Sequence, residues 1–505
     1  MKSMKMAAAA AAAAAFAGCT QYIPSVGPSY EEPEVTAESH PLPDAGYPTT
    51  NVAADCSYVP AATNEDPRVE ISRDAVAHWW EHFNDPVLEE LVLGAATNNI
   101  SFQTAKKRLE QANYELLGSY AAFLPQFDVN GSWTLARYGA NVPAGGGEAV
   151  GYKTTSVALD GQWEIDVFGG SRRQTEANIA LAEAASWSVA DAWVELTTRI
   201  GEQYVNLRTT QERIAVARTN LVLQTETYDI LKSRFDSGIG DELAVNQCAY
   251  IVEQTRARIP QLLAVEEKLK NAIAVLAGVV PGALDAALAP PRERRDWMLA
   301  PQKVSDLPLD MMRARPDVKG CERKLAAMTA YVGVAKAQWF PKLYINGTVG
   351  FSKRNSVKLF DRESLFSTIG PAVSWPIFQG GAIYANVKAA EAKMDQAALD
   401  YALAVEQAFA DVRDAYSAYT QEYHRLQALT AAVKAASDAV AISKDLYQNG
   451  LKDFNNVLDA QRSRLQLEEE FVVSRGQIST ELIRLYRALG GGLAVPDPDE
   501  GDVER

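Results

Sequence analysis

Cysteine and histidine are scarce in this chain of 505 residues, with 4 of each. The cysteines, Cys19, Cys56, Cys248 and Cys321, form no C-x-x-C pair, which excludes zinc knuckles and redox motifs of that type. His78 and His82 stand at i, i+4, a spacing that can hold a metal. They flank Trp79 and Trp80 with no third His or Cys near by, so a structural role is expected and no metal site. No G-x-S-x-G, phosphate loop or dinucleotide fingerprint occurs. With no constellation of nucleophile, base and metal in view, no enzyme activity and no cofactor are expected. Basic residues number 49 against 64 acidic ones, a formal charge of -15, which argues against a nucleic-acid partner. Past the N-terminus there is no run of about 18 apolar residues, so no transmembrane helix is expected.

Proline and glycine are missing over long stretches. Residues 171–237 contain no proline and one glycine, Gly201. Within them Trp193, Ile200, Leu207, Ile214, Leu221, Tyr228 and Phe235 recur every seven positions, a heptad seam of a long coiled-coil helix. At about 1.5 Å per residue such a helix runs for roughly 100 Å. Val405, Val412, Tyr419, Leu426, Val433, Val440 and Tyr447 form a second ladder, every rung displaced from its counterpart by the same distance along the chain. The flanks repeat too. Trp163 to Gly170 matches Trp375 to Gly381, Phe123-Leu-Pro125 matches Trp339-Phe-Pro341, and Arg234 to Gly238 matches Leu446 to Gly450. One unit is therefore written twice: short strands, a Gly-Gly stop, a long helix, a Gly turn and a returning helix.

Taken in order, residues 1–18 read as an export signal, with Lys2 and Lys5 before an alanine run. Phe16-Ala-Gly-Cys19 resembles a lipobox, in which Cys19 becomes the acylated N-terminus and a membrane anchor. Phe16 stands where Leu or Val is usual, so ordinary signal cleavage is the alternative. Residues 19–73 read as a Pro-rich tether with no assigned function. The first repeat is placed at 74–300, with strands at 127–138 and 153–167 and a turn at 238. The second is placed at 301–492, with strands at 343–351 and 367–378 and a turn at 450. Residues 493–505 form an acidic tail. Phe127, Val129, Trp133 and Leu135 alternate with polar residues, giving a sheet with one apolar and one wet face. Four strands cannot close a channel, whereas three copies supply twelve, a permitted number for an outer-membrane barrel. From alternation alone, a soluble sheet packed on helices is an equal reading.

The Trp79-Trp80, Phe83, Asp85-Pro86, Leu88 start, the Asn98-Asn99 break and the motifs Trp163 to Gly169, Arg315-Pro-Asp-Val318 through Gly333 to Pro341, and Val457-Leu-Asp-Ala-Gln-Arg462 carry a resemblance. Together they resemble the outer-membrane factor (TolC-like) family, most closely the lipoprotein channels of tripartite efflux systems of the RND type. The resemblance covers about residues 75–490. It implies a mainly α fold with a small β part. Two repeats of a strand pair plus a long helical hairpin would form a trimeric α-barrel topped by a 12-stranded β-barrel. It also implies a homotrimer in the outer membrane of a Gram-negative bacterium, projecting into the periplasm, with a periplasmic adaptor protein and an inner-membrane pump as partners. The function it implies is a passive exit duct for small molecules. Two alternatives stand beside it, a duct for type I protein secretion and a periplasmic coiled-coil scaffold without a pore.

The same resemblance places a periplasmic gate just after the second turn. The family's tyrosine and basic residue fall on Tyr447 and Lys452, and its two acids on Asn456 and Asp459. One acidic ring thus becomes an amide, and Asp459 is left to form a threefold ring. The polar latch partner of the first turn falls on Ala244, whose side chain cannot hydrogen-bond, so Tyr447 lacks its expected partner. Lys452 has Asp241 or Glu242 as candidate partners. The turn residues Ser237, Gly238, Asn449 and Gly450 are the expected adaptor contacts.

Overall fold

In the computed structural model we describe residues 25–31, 68–69, 76–141, 149–291, 303–304, 313–354, 358–449 and 451–491. Cys19, Cys56, Gly450, the export signal and the acidic tail lie outside the described residues. After a short 3-10 turn at Trp79–Phe83 come α1 (Pro86–Asn98), α2 (Ile100–Tyr120), β1 (Gln126–Tyr138), β2 (Val150–Ile165), α3 (Gly170–Asp236) and α4 (Glu242–Ala277). Then follow α5 (Pro316–Ala337), β3 (Lys342–Arg354), β4 (Leu365–Ser374), α6 (Ala382–Gln448) and α7 (Phe454–Ala488). The long helices α3 and α6 are equal in length, each of 67 residues. From α3 to α6 and from α4 to α7 the starting points shift by one and the same offset, while from β1 to β3 the shift is slightly larger. None of the described helices is long and apolar enough to cross a membrane.

The described residues fall into two compact units. One is drawn from 1–34, 108–186 and 320–402, the other from 35–107, 187–319 and 403–505. Each unit combines pieces of both repeats.

The second unit holds the main core. Trp79, 1% exposed, meets Trp80 and Phe83 edge-on, with ring centroids 5.9 and 5.8 Å apart. Trp80 and Phe102 both reach Trp193 of the first heptad ladder. Ile200 and Leu207 of α3, Val412 and Tyr419 of α6, and Leu482 and Leu485 of α7 complete this cluster. His78 packs edge-on against Trp80, and His82 stacks on Tyr486. Among the described residues no group of three or more His, Cys, Asp or Glu could hold a metal ion. Asp85 caps α1 by accepting from the Val87 amide at 3.0 Å and also accepts from the Tyr204 hydroxyl. The Asn98-Asn99 break works the same way. Asn99 accepts from the Phe102 amide at 2.8 Å and donates to the Leu276 carbonyl at 2.8 Å, locking the start of α2 to the end of α4.

The first unit carries the sheet, in order β1-β2-β3-β4 with every neighbour antiparallel. The strands differ at their ends from the sequence expectation. The second stops at Ile165 rather than 167, because Asp166 turns to accept from the Arg172 amide at 2.9 Å and starts α3. The last stops at Ser374 rather than 378, next to Trp375-Pro376, where proline has no amide to continue a ladder. Register sets the faces. Opposite Val129 stand Leu159 and then Val349, and opposite Gly161 and Gly347 stand Phe127 and Ile369. On the other face Asn130 donates to Asp160 at 2.8 Å, Thr348 donates to Asp160 at 2.6 Å, and Ser132 pairs with Ser156.

The lone glycine of the first ladder has a packing reason. A Cβ on Gly201 would stand 2.3 Å from the Trp79 ring and 3.1 Å from Ile483. Trp79 is enclosed and cannot give way. Gly201→Ala is expected to cost about 1–3 kcal/mol by overpacking, against a helix-propensity gain of about 1 kcal/mol, and so to lower the unfolding midpoint. Gly94→Ala, with nothing within 4 Å of its added Cβ, is expected to hold or raise it. Thermal unfolding of the full chain in detergent checks both; a raised midpoint for Gly201→Ala would contradict this packing.

Candidate functional site

The two helix turns of the second unit bring together most of the residues singled out by sequence. At the end of α3, Gly238 takes φ +76°, its amide donates to the Phe235 carbonyl at 2.8 Å, and the Ile239 amide donates to the Arg234 carbonyl at 3.0 Å. That pair of bonds is a Schellman stop, which needs a residue without Cβ strain at the left-handed position. Ser237 donates its hydroxyl to the Ser233 carbonyl at 2.8 Å. Asp241 then caps α4 by accepting from the Leu243 amide at 3.0 Å. At the end of α6 the Leu451 amide donates to the Leu446 carbonyl at 2.9 Å, the counterpart of the Ile239 bond. Asn449 donates to the Asp445 carbonyl at 3.0 Å.

Under these turns lies a small apolar cluster of Leu231, Cys248, Ile251, Phe454, Val457 and Leu458. Tyr447 packs on it, its ring edge-to-face with Phe454 at 5.1 Å. Ala244 packs on the same cluster, so its methyl fills space where the resemblance implied a polar partner. Tyr447 has a partner none the less. Arg234 donates from Nη1 to the Tyr447 hydroxyl at 3.1 Å, and its guanidinium lies 5.4 Å from the ring centroid. An exposed cation–π contact of this kind contributes about 0.5–1 kcal/mol. Sequence reasoning missed Arg234 as a partner, although it stands immediately before Phe235, the last rung of the first heptad ladder. A positive side chain in the last turn of α3 also suits the helix dipole.

The remaining gate candidates are solvent-facing. Lys452 is exposed and, among the described residues, forms no ion pair with Asp241 or Glu242. Asn456 is exposed and donates to the Asp453 carbonyl at 3.2 Å. Asp459 is exposed, with Arg462 of the next turn 3.6 Å away. That arginine also lies 5.1 Å over the Tyr250 ring.

In the first unit the candidate feature is the apolar face of the sheet. Phe127, Val129, Trp133 and Leu135 of β1 and Ile369 and Val373 of β4 stand open, Ile369 being 84% exposed. A monomeric soluble protein rarely leaves so many large apolar side chains side by side. Where the strands meet the helices, Trp163 donates from its indole to the Phe123 carbonyl at 3.0 Å, and Trp375 donates to the Trp339 carbonyl at 3.1 Å. The same anchor is thus used in both repeats.

Burial pushes the Cys248 thiol up to about 11, and its hydrogen points to the Gln224 carbonyl. The thiolate is the reactive form, so Cys248 is expected to resist maleimide at about pH 8 until the protein is unfolded. Peptide mass spectrometry after labelling checks this, and prompt modification in the native state would mean that the turn cluster opens.

The sequence pattern of the family described as "Outer membrane efflux protein" matches residues 91–279 and 307–491. The chain is 29% identical over 419 residues to Outer membrane protein OprJ of Pseudomonas aeruginosa, covering 82% of this chain and 86% of that one. It is 30% identical over 443 residues to Nodulation protein T of Rhizobium leguminosarum bv. trifolii, covering 87% and 88% respectively. Its fold resembles a solved structure of the outer-membrane channel OprN with a TM-score of 0.81 and 29% identity, over 92% of this chain and 99% of the other. With the matched pattern spanning both repeats, the chain belongs to the outer membrane efflux protein family.

Proposed function

We propose that three copies of the chain close into a passive exit duct for small molecules, energised by an inner-membrane pump and reached through a periplasmic adaptor. The protein is an outer-membrane channel of an efflux system. The observation that carries the assembly is the split of the sheet into an open apolar face and a hydrogen-bonded polar face. Within one chain β1 and β4 are edges with unpaired backbone groups, a liability that closure removes. Joining β4 of one copy to β1 of the next gives twelve strands, with the apolar face toward lipid and the polar face toward a watery lumen. Along β1 the apolar band from Phe127 to Leu135 is about 26 Å at about 3.3 Å per residue, a stretch at the lower end of the roughly 9–11 residues that a tilted membrane strand uses. The tryptophans at the strand ends suit the membrane interface. A non-pore scaffold would leave this face in water.

The half-covered heptad positions Val405, Leu426, Val433 and Val440 gain their partners from neighbouring copies. Cys19 carries the covalent lipid that holds the duct to the membrane. No step in this function needs a catalytic group. The turns at Ser237, Gly238, Asn449 and Gly450 receive the adaptor. The gate lies beside them, with Tyr447 held by Arg234 rather than by the position of Ala244. Asp459 contributes one carboxylate per copy to a threefold ring that attracts cations, with Lys452 and Asn456 on the adjoining surface.

Single-channel recording of the purified trimer in a planar bilayer tests the duct and its gate together. Discrete conductance steps are expected. Removing the exposed contact in Arg234→Ala is worth about 0.5–1 kcal/mol per copy, a factor of about 2–5 in the closed-to-open ratio, so open time should rise. In Asp459→Asn, block by divalent cations should weaken. A trimer that never conducts, with or without Arg234, would sink the duct. Unchanged gating and unchanged block in the two variants would remove these residues from the gate.

A further inference from the structure

In the second unit a cavity of about 980 Å³ lies among α3, α4, α6 and α7. Its charged lining consists of Arg213, Arg258, Arg425 and Arg462 against Glu469 and Glu470. An excess of arginine is unexpected in a chain of formal charge -15. Position on the helix separates this cavity from the loop that covers α3. Arg208 and Gln211 point at that loop, donating to the Ala289 and Leu288 carbonyls at 2.9 and 2.8 Å. Arg213 lies five positions past Arg208, about 140° further around the helix, and so faces away from it.

Most of the cavity's charges are already matched. Arg258 pairs with one oxygen of Glu469, Arg425 with Glu422 at 3.3 Å and Arg462 with Asp459 at 3.6 Å. Gln466 donates to Glu470 at 3.0 Å. Two groups are left over. The Arg213 Nε is buried with no hydrogen-bond partner, and among the described residues this guanidinium forms no ion pair within about 4 Å, although its charge reaches Glu469 and favours the ionised carboxylate. The second oxygen of Glu469 is likewise buried without a partner, on a residue only 6% exposed. Buried polar atoms in folded proteins are nearly always satisfied, and those that are not ask for an explanation. Here a donor and an acceptor are left open on the wall of one cavity.

The geometry points to a binding site for a small organic anion that also carries an O–H or N–H donor, its anionic group on Arg213 with Arg425 and Arg462 near by, its donor on Glu469. Arginine suits such a ligand because its fork matches a carboxylate, sulfonate or phosphate. The carboxylate of Glu469 then selects among anions, since one with no donor leaves it buried and unpaired, and repels it. The site thus accepts hydroxy or amino acids in preference to plain polyanions.

Citrate and tricarballylate, which share three carboxylates and differ in one hydroxyl, are suitable probes. Isothermal titration of the full-length trimer in detergent reads binding without requiring a pore, so it stands apart from the conductance experiment. Saturable citrate binding is expected, with tricarballylate weaker. Arg213→Gln should weaken citrate about tenfold or more. Glu469→Gln should retain binding and lose the preference between the two probes. Arg425→Gln supplies a second variant should Arg213→Gln fail to assemble, and Arg199→Gln, an exposed cation outside the cavity, should bind citrate as the parent does. Absence of saturable heat, or citrate binding by Arg213→Gln equal to that of the parent, would overturn the proposal and leave the two open atoms to bridging water.

Discussion

A helix as long as α3, with a heptad seam along it, is stable only if something lies against that seam from end to end. Helical propensity alone does not hold an amphipathic stripe in water, and tertiary packing of the apolar face does. The remaining architecture answers to this demand. In the second unit α4, α6 and α7 supply the partners, and the Trp79–Phe83 turn fills the space opened by Gly201. Away from that centre the seam is less well covered: Ile200 and Leu207 are fully enclosed, Leu221 and Tyr228 half-covered, and Phe235 exposed. The small cluster under the turns then takes over, so the ends of the hairpins are fastened separately from their middles.

Much of this was legible in the residues because it is periodic. The heptads located both long helices, and the Gly-Gly and Gly turns located their ends, since each signal is local and sterically strict. Two-residue alternation marked β1, and the other three strands were placed beside it and in the second copy of the repeat. Their ends were less legible, because a side-chain bond from Asp166 and the missing amide of Pro376 terminate pairing in ways that apolar periodicity does not register. Family resemblance pointed to Tyr447 and to the empty position at Ala244. It did not point to Arg234, because that contact joins residues on different repeats, far apart in the chain, and the resemblance concerned a different position. The open pair of Arg213 and Glu469 was illegible for another reason. In sequence each looks like an ordinary solvated helix charge, and only burial shows that it has been taken out of water.

The sheet and the turns divide the work by different physics. On the sheet, register alone sorts side chains into an apolar and a polar face, since neighbours across all four strands share parity. At the turns, covering is slight and single contacts matter: one guanidinium against one phenol, one capping carboxylate at Asp241. The first kind of feature tolerates many conservative substitutions. The second changes with one atom.

The two repeats are close copies but not equal ones. Their long helices match in length, whereas β2 has 16 residues and its counterpart β4 has 10. One strand pair is therefore taller than the other, and the two can never exchange places. A ring of identical hairpins would have sixfold symmetry and a level rim. In the twelve-stranded ring proposed above, alternating tall and short pairs would reduce the symmetry to threefold, with three taller and three shorter strand pairs around it. In that ring a small difference in strand length, rather than any side chain, would set where the wall stands high and where it stands low.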